Sequence, residues 1–341
     1  MKKLSAIVLA AGMGTRMKSD TPKVLHELCG RPMLNYPLIR LQELGVKTTI
    51  VVVGNHQKDI EAAAKGSGNK SLRFVLQSPP RGTGDAVRCA MKKLTPGYSG
   101  DMLILSGDVP LIETPTLKAM IRLHRKKRKE AAVITVLSVM LEDPSGYGRI
   151  IRDDLGQIVD ITEDRDCTPS QKKIKEINAG IYIIDASFLR EYLPKIKTNN
   201  TQGEYYLPDL VKMARKKGRH VGSLLHINPE EIMGINNRSQ LAEASSTMRS
   251  KINTDIMLSG VTFIDPDTTY IDDTVTIGQD STIYPNVHLK GSTTIAKGST
   301  IEEGVKITDS TIGANTTIKS HSVIEDSRIG KDTSIGPFAR L

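Results

Sequence analysis

The tightest constraint on this chain lies at its rear. From Ile271 onward an aliphatic residue returns every six positions, at Ile271, Ile277, Ile283, Leu289, Ile295, Ile301 and Ile307. The register slips by one to Ile312, Ile318 and Ile324, and slips again to Ile329, Ile335 and Leu341. Four residues after most of these stands a small or β-branched residue, among them Ser281, Val287, Thr293, Ser299, Val305, Thr316 and Ser322. This is the period of hexapeptide repeats in a left-handed parallel β-helix. Each short strand buries one aliphatic side chain inside a triangular coil, and the small partner fits the corner. Coils of a solenoid rest on their neighbours, and the last one here stops in mid-repeat at Phe338-Ala-Arg-Leu341, which reads as a shortened chain. β-Helices of this kind usually associate, so a homotrimer is expected.

Ahead of the repeat the pattern changes. A chain of 341 residues, at roughly 100–200 per domain, predicts two domains. From Lys2 to about Gly234, short apolar runs alternate with helical stretches. Strands are expected at Ala6–Ala10, Thr48–Val53, Arg73–Leu76, Met102–Leu105, Ala131–Val139 and Gly180–Ile184, and helices at Asn35–Leu44, Lys58–Lys65, Gly84–Lys93 and Glu204–Lys216. Such alternation predicts an α/β domain with a Rossmann-like, mixed but mostly parallel sheet covered by helices. Asn236–Leu258, without Pro or Gly, reads as a connecting helix. The expected division is residues 1–234, a linker helix over 235–258, and an incomplete β-helix over 259–341. Open sheets bind ligands beyond the carboxyl ends of their strands, so the chemistry is expected in the loops there.

Composition removes several classes. With 38% hydrophobic and 25% charged residues the chain is neither disordered nor collagen-like. No run approaches the ~18–20 apolar residues of a membrane helix, so no membrane insertion is expected. Met1-Lys2-Lys3 followed by Leu4–Ala11 imitates a secretory signal, but it runs directly into Gly12-Met-Gly14-Thr-Arg16 and reads as a buried strand. Cys29, Cys89 and Cys167, few and odd in number, point to a reducing, cytoplasmic compartment rather than a disulfide scaffold. The net charge is +9, yet residues 259–341 hold 7 Lys+Arg against 11 Asp+Glu. The positive excess therefore sits in the front part and suggests an anionic ligand. The densest basic run, Arg122–Lys129, has no interleaved aromatics and follows the helical spacing of Leu117, Met120 and Ile121. It reads as a solvated helix face, and no nucleic-acid partner is expected.

The strongest chemical signal is Leu9-Ala10-Ala11-Gly12-Met-Gly14-Thr-Arg16-Met17, followed by Pro22-Lys23. Glycines leaving a strand let backbone N–H groups close on an anion, and Arg16 and Lys23 add two full charges. A polyphosphate fits. Two other phosphate motifs do not match. A dinucleotide fingerprint needs a third glycine where Met17 stands, and Gly54-Asn55-His56 rather than an acidic residue follows Thr48–Val53. A Walker loop needs Gly-Lys-Ser/Thr, and Gly14 is followed by Thr-Arg.

Gly-x-Gly-Thr-Arg-Met with Pro-Lys downstream resembles the signature of sugar-nucleotide pyrophosphorylases, which join a nucleoside triphosphate to a sugar 1-phosphate and release pyrophosphate. Gln77 with Arg81-Gly82-Thr83-Gly84 resembles that family's uridine-contacting loop, and Ser106-Gly107-Asp108 its strand end with a metal-binding aspartate. Gly146-Tyr147-Gly148-Arg149, Glu163, Asn178-Ala-Gly180, Gln202-Gly-Glu-Tyr-Tyr206 and Gly234-Ile-Asn236 resemble its acetamido-sugar side. With the rear repeat, the whole chain is similar to the bifunctional N-acetylglucosamine-1-phosphate uridyltransferase/glucosamine-1-phosphate acetyltransferase family, whose uridylyl product feeds cell-wall precursors. The resemblance implies UTP and N-acetylglucosamine 1-phosphate as substrates and Mg2+, held by Asp108 and Asn236, as cofactor. It implies Arg16 and Lys23 as catalytic cations. The implied substrate cleft comprises Leu9, Ala10, Ala11, Gly12, Lys23, Gln77, Gly82, Thr83, Ser106, Gly107, Asp108, Gly148, Glu163, Asn178 and Asn236.

Ordinary roles stand beside these: Asp108 as a turn residue before Pro110, and Asn236 as a helix cap. Ser106 occupies a position where the family commonly has tyrosine, and Asp85 one where it often has histidine. The family's acetyltransferase residues correspond to positions beyond Leu341, so that second activity is expected to be absent. The remaining alternatives are another sugar-1-phosphate nucleotidyltransferase, for glucose 1-phosphate with dTTP or ATP, and a non-catalytic relative.

Overall fold

The computed structural model describes residues 3–12, 14–126 and 131–341, so positions 127–129 of the basic run lie outside the described residues. The chain divides into two compact units, residues 1–26 with 32–237, and residues 27–31 with 238–341.

The first unit is built on a nine-stranded sheet. Its strands are β1 (Lys3–Ala10), β2 (Thr49–Val53), β3 (Leu72–Leu76), β4 (Gly100–Ser106), β5 (Ile134–Met140), β6 (Arg149–Arg152), β7 (Ile158–Thr162), β8 (Glu176–Asp185) and β9 (Val221–His226). The order across the sheet is β9-β5-β8-β4-β1-β2-β3, with the β6–β7 hairpin attached to β8. Within that row only β8 runs against its neighbours, β4 and β5; the other pairs are parallel. Helices α1 (Asn35–Glu43), α2 (Gln57–Ala64), α3 (Thr83–Met91), α4 (Thr114–His124), α5 (Ala186–Tyr192) and α6 (Asp209–Lys216) connect the strands. Alternate strand residues enter different cores. Ile7, Ile50, Val52 and Ile104 pack with Val87, Leu189 and Leu210, whereas Val8, Val51, Val53 and Leu105 pack with Leu34, Leu38 and Leu117. Burial on both faces is why these strands read as unbroken apolar runs. The mixed, mostly parallel sheet anticipated from the alternation is present.

Some boundaries move, for local reasons. β8 begins at Glu176, before the expected Gly180, because its register against β5 breaks between Asn178 and Tyr182 where Gly180 takes φ +71°. The helix expected from Glu204 starts at Asp209 behind Pro208. Residues 204–205 instead run beside the loop before α3: Tyr205 N–H donates to Arg81 O (2.9 Å), and Gly84 N–H donates to Tyr205 O (2.7 Å). The strands β6, β7 and β9 were not anticipated. β6 is only Arg-Ile-Ile-Arg, and β9 carries Gly222 and Ser223, both poor strand formers.

In the second unit, after α7 (Pro229–Ile232) of the first, α8 (Arg238–Leu258) leads into three ladders of short parallel strands. The first ladder aligns Thr262, Thr282, Thr300, Thr317 and Ser334. The second aligns Tyr270, His288, Lys306 and Val323, and the third Thr276, Thr294, Thr311 and Arg328. Three parallel ladders close a triangular left-handed β-helix around Ile283, Leu289, Ile295, Ile301, Ile307, Ile312, Ile318 and Ile324, each at most 1% exposed. The six-residue reading is borne out, with one exception: Leu341 is 50% exposed. Both slips occur at the same corner, where Gly291-Ser-Thr in one coil becomes Asp309-Ser and then Asp326-Ser in the next two. Asn253 of α8, 1% exposed, ties this helix to the first coil by donating to Pro266 O (2.8 Å) and Thr269 O (3.1 Å).

No described helix is long and apolar enough to cross a membrane. Cys29, Cys89 and Cys167 are free thiols.

Candidate active site

The loop leaving β1 turns through Gly14, at φ +60°, into a 3-10 turn over Thr15–Met17. A side chain at position 14 would meet Lys23 Cβ at 2.6 Å, so only glycine lets the Lys23 backbone lie against this turn. Lys23 then reaches the carboxyl end of β4. Its ammonium pairs with Asp108 Oδ2 and donates to Asn236 Oδ1 (3.1 Å), which also accepts from Arg16 (2.9 Å). Asp108 is 8% exposed, and its own carbonyl accepts from Ile235 N–H (2.9 Å), which holds the 234–236 segment beside it. Two cations and two oxygen ligands thus meet at one point, from three separate stretches of sequence.

Two cavities open from this point and share Leu9, Thr83, Ser106 and Asp108 in their walls. The first, of about 270 Å³, is lined by Ala10, Ala11, Gly12, Lys23, Gln77, Gly82 and Glu204 as well. Gly82 enters α3 at φ +99°, and a Cβ there would strike Tyr205 O at 2.7 Å. Thr83 Oγ1 accepts from Leu207 N–H (3.0 Å), which fastens the floor between them. Beyond Ala10, Ala11, Gly12 and Gln77 the space continues into a pocket of about 350 Å³ walled by Ser19, Asp20, Thr21, Asn55 and His56. Apart from its chain neighbours, no atom of the described residues comes within 4 Å of a Cβ built on Gly12, so the wall is open there.

The second cavity, of about 210 Å³, is lined by Tyr147, Gly148, Glu163, Asn178 and Tyr182. Arg149, 2% exposed, donates to Tyr147 O and to Asp164 Oδ1 (3.0 Å) and so anchors the loop carrying Gly148. Asn178 is fixed at both ends: its amide nitrogen donates to Tyr182 Oη (2.5 Å) and its Oδ1 accepts from Gly180 N–H (3.1 Å). Burial, then the carboxylates of Asp166, Asp209, Glu204 and Asp164, push the Glu163 carboxyl up to about 7. Burial likewise raises the Tyr147 phenol, whose buried hydroxyl has no hydrogen-bond partner among the described residues.

Of the residues singled out by sequence, Leu9, Ala10, Ala11, Gly12, Lys23, Gln77, Gly82, Thr83, Ser106, Asp108, Gly148, Glu163 and Asn178 line this double cleft. Arg16 and Asn236 stand behind it, connected through Lys23. Gly107 does not line it; its N–H donates to Leu9 O (2.9 Å), and a Cβ there would meet Leu34 Cδ1 at 3.0 Å. Tyr147, Tyr182 and Glu204 were not singled out, although two of them belong to motifs noted at the sequence level. Among the described residues no group of three or more His, Cys, Asp or Glu side chains could hold a metal ion.

Comparisons with known proteins agree with this layout. Residues 5–227 match the family model "Nucleotidyl transferase", and residues 265–341 match "GMPPB C-terminal domain". The chain is 46% identical over 341 residues to the "Bifunctional protein GlmU" of Geotalea uraniireducens, covering all of this chain and 73% of that one. It is 43% identical, with the same coverage, to the protein of that name from Pelobacter propionicus. A crystal structure of a putative glucose-1-phosphate thymidylyltransferase from Bacillus anthracis, in complex with a sucrose, superposes with TM-score 0.56 at 18% identity. It covers 72% of this chain and 95% of that one, a likeness of fold.

Proposed function

Because the chain belongs to the GlmU family of nucleotidyl transferases, we propose that it is a uridylyltransferase, converting UTP and N-acetyl-α-D-glucosamine 1-phosphate to UDP-N-acetylglucosamine and pyrophosphate. The observation that carries this reading is the double cleft, whose two halves meet at Asp108 beside the Lys23 ammonium. The half bounded by the Gly12 turn and Gln77 suits the nucleotide. The half bounded by Gly148, Glu163 and Asn178 suits the sugar.

A phosphate oxygen of the sugar 1-phosphate attacks the α-phosphorus of UTP in line. The bond from the α-phosphorus to the bridging oxygen breaks, and pyrophosphate leaves with that electron pair. The nucleophile is already an anion at neutral pH, so no side chain has to take a proton. The work left to the protein is positioning and offsetting negative charge, which Arg16 and Lys23 do from the β1 loop. Glu163, whose carboxyl is pushed up to about 7 by burial and its acidic neighbours, donates a hydrogen bond to a sugar oxygen in its protonated form, and Asn178 offers a fixed amide beside it.

The Asp108 carboxylate and the Asn236 amide oxygen converge on one ammonium, so this spot already favours a cation. One carboxylate and one amide oxygen, completed by phosphates and water, form a donor set that suits Mg2+. When bound, Mg2+ supplies further charge neutralisation to the phosphates. Flat β-helix faces bearing threonine ladders support a homotrimer, and three free thiols support a cytoplasmic location.

Pyrophosphate release measured for UTP, dTTP and ATP against N-acetylglucosamine 1-phosphate and glucose 1-phosphate, with and without Mg2+, tests the reading. Mg2+-dependent turnover is expected to be highest for UTP with the N-acetylated sugar. Higher efficiency for glucose 1-phosphate with dTTP or ATP would overturn it.

A further inference from the structure

We propose that Asp85 sets base selectivity by locking the Gln77 amide in one orientation, so that Gln77 offers an incoming base a hydrogen-bond acceptor and nothing else. The inference rests on the nucleotidyl-transfer reading above. Gln77 follows directly on β3, is 4% exposed, and faces the nucleotide half of the cleft. Its Nε2 donates to Gly82 O (3.1 Å) and to Asp85 Oδ2 (3.0 Å). Both partners are pure acceptors, a peptide carbonyl and an aspartate carboxylate. Turning the amide over would press Oε1 against two oxygens in a nearly dry site, at the cost of unpaired polar atoms. An amide nitrogen carries two hydrogens and both are engaged. The polar atom left for a ligand is Oε1.

Asp85 is itself held firmly. It lies in the first turn of α3, where the helix dipole favours a carboxylate, and its side chain is 4% exposed. Oδ1 faces the guanidinium groups of Arg81 (3.3 Å) and Arg88 (3.9 Å), while Oδ2 takes the Gln77 hydrogen. Arg88 is fixed in turn over the Tyr205 ring, 4.5 Å from its centroid. Asp85 is thus a positioning residue that acts through Gln77.

The consequence is chemical. Uracil and thymine carry an imide N3–H, a donor that Oε1 accepts. Cytosine presents a lone pair at N3, so acceptor would face acceptor. The device separates imide bases from cytosine and leaves uracil and thymine to be told apart by other contacts.

The test is kcat/KM for UTP and for CTP, with N-acetylglucosamine 1-phosphate, in the unaltered protein and in Asp85→Asn. The asparagine amide can donate as well as accept, so one of the two oxygens opposing the turned-over Gln77 amide is relieved, Gly82 O alone still disfavours it, and the lock is weakened. The ratio of UTP to CTP efficiency is expected to fall by at least about tenfold, equivalent to ~1.4 kcal/mol. The fall should come through KM for the nucleotide, with KM for the sugar phosphate unchanged. A merely structural role would depress both nucleotides alike, and an unchanged ratio in the folded variant overturns the proposal. Should the variant not fold, binding of UMP and CMP to the unaltered protein decides: at least about tenfold preference for UMP supports the locked acceptor, and equal affinity removes it. No pyrophosphate release with any nucleotide from the unaltered protein would remove the underlying reading and this proposal together.

Discussion

A lysine that ends between a carboxylate and an amide oxygen has two partners to lose. In Lys23→Ala the nearly buried Asp108 gives up its ammonium and the triphosphate gives up a cation. Pyrophosphate release is expected to fall by roughly 10²–10³-fold, as for loss of one preorganised charge-stabilising group. Retention of activity within about tenfold, in a release assay, would contradict the role given to this residue. Glu163 makes a prediction about pH. Its carboxyl ionises near 4.5 when unfolded and near 7 when folded, because of burial and four neighbouring carboxylates. The folded chain therefore holds the extra proton across that window, and stability declines as pH rises through it. The loss is complete above pH 7 and amounts to about 3 kcal/mol. Glu163→Gln should raise the Tm at pH 8 relative to the unaltered protein and leave it close to unchanged at pH 4.5; the same shift at both values would contradict this account. The residues legible in sequence were those inside short contiguous motifs, such as Gly12 to Arg16 with Lys23, and Ser106 to Asp108. Tyr147 and Glu204 were harder to read, because only the turn before β6 and the pairing of residues 204–205 with the 81–84 loop bring them to the cleft. Asp85, at a position where the family often has histidine, gains its meaning from Gln77, which lies across a loop from it.

At the scale of elements the β-helix was the most legible part, because each of its strands needs just one buried aliphatic residue and the chain supplies it on a strict count. Its corners were not read, though they follow a rule of their own. Asp280, Gly298, Asn315 and Asp332 fall at one corner, one per coil, all with φ between 54° and 71°. Asn286, Gly304, His321 and Phe338 repeat this at a second, with φ from 55° to 69°. Left-handed backbone costs a β-branched residue about 1–2 kcal/mol, whereas glycine takes it freely and Asn or Asp with little strain. Asn315→Val should therefore destabilise the protein by about that amount in urea titration, and Asn315→Gly by much less. Equal losses would assign the effect to the Asn315–Asp332 hydrogen bond (3.1 Å) instead. In the front unit the long strands β1, β2 and β4 were legible, being buried on both faces. The hairpin β6–β7 was not: a four-residue strand beginning and ending in arginine has too short a pattern for periodicity to register.

At the scale of the whole molecule, a ligand that binds only the folded protein raises its apparent stability. UTP with Mg2+ at a hundred times its Kd should contribute about 2.7 kcal/mol, visible as a Tm several degrees higher, and EDTA should reverse most of that gain. A melting temperature indifferent to UTP would count against nucleotide binding altogether. The double cleft has a further property that follows from β8. Asn178 belongs to the same strand whose far end pairs with β4, the strand that ends at Ser106, two residues before Asp108. Both banks are one continuous fabric, and they cannot part without tearing main-chain hydrogen bonds. Residues 81–84 and 204–205 are laced to each other by two main-chain hydrogen bonds, so the segments that wall the nucleotide half brace one another as well as the sheet beneath them.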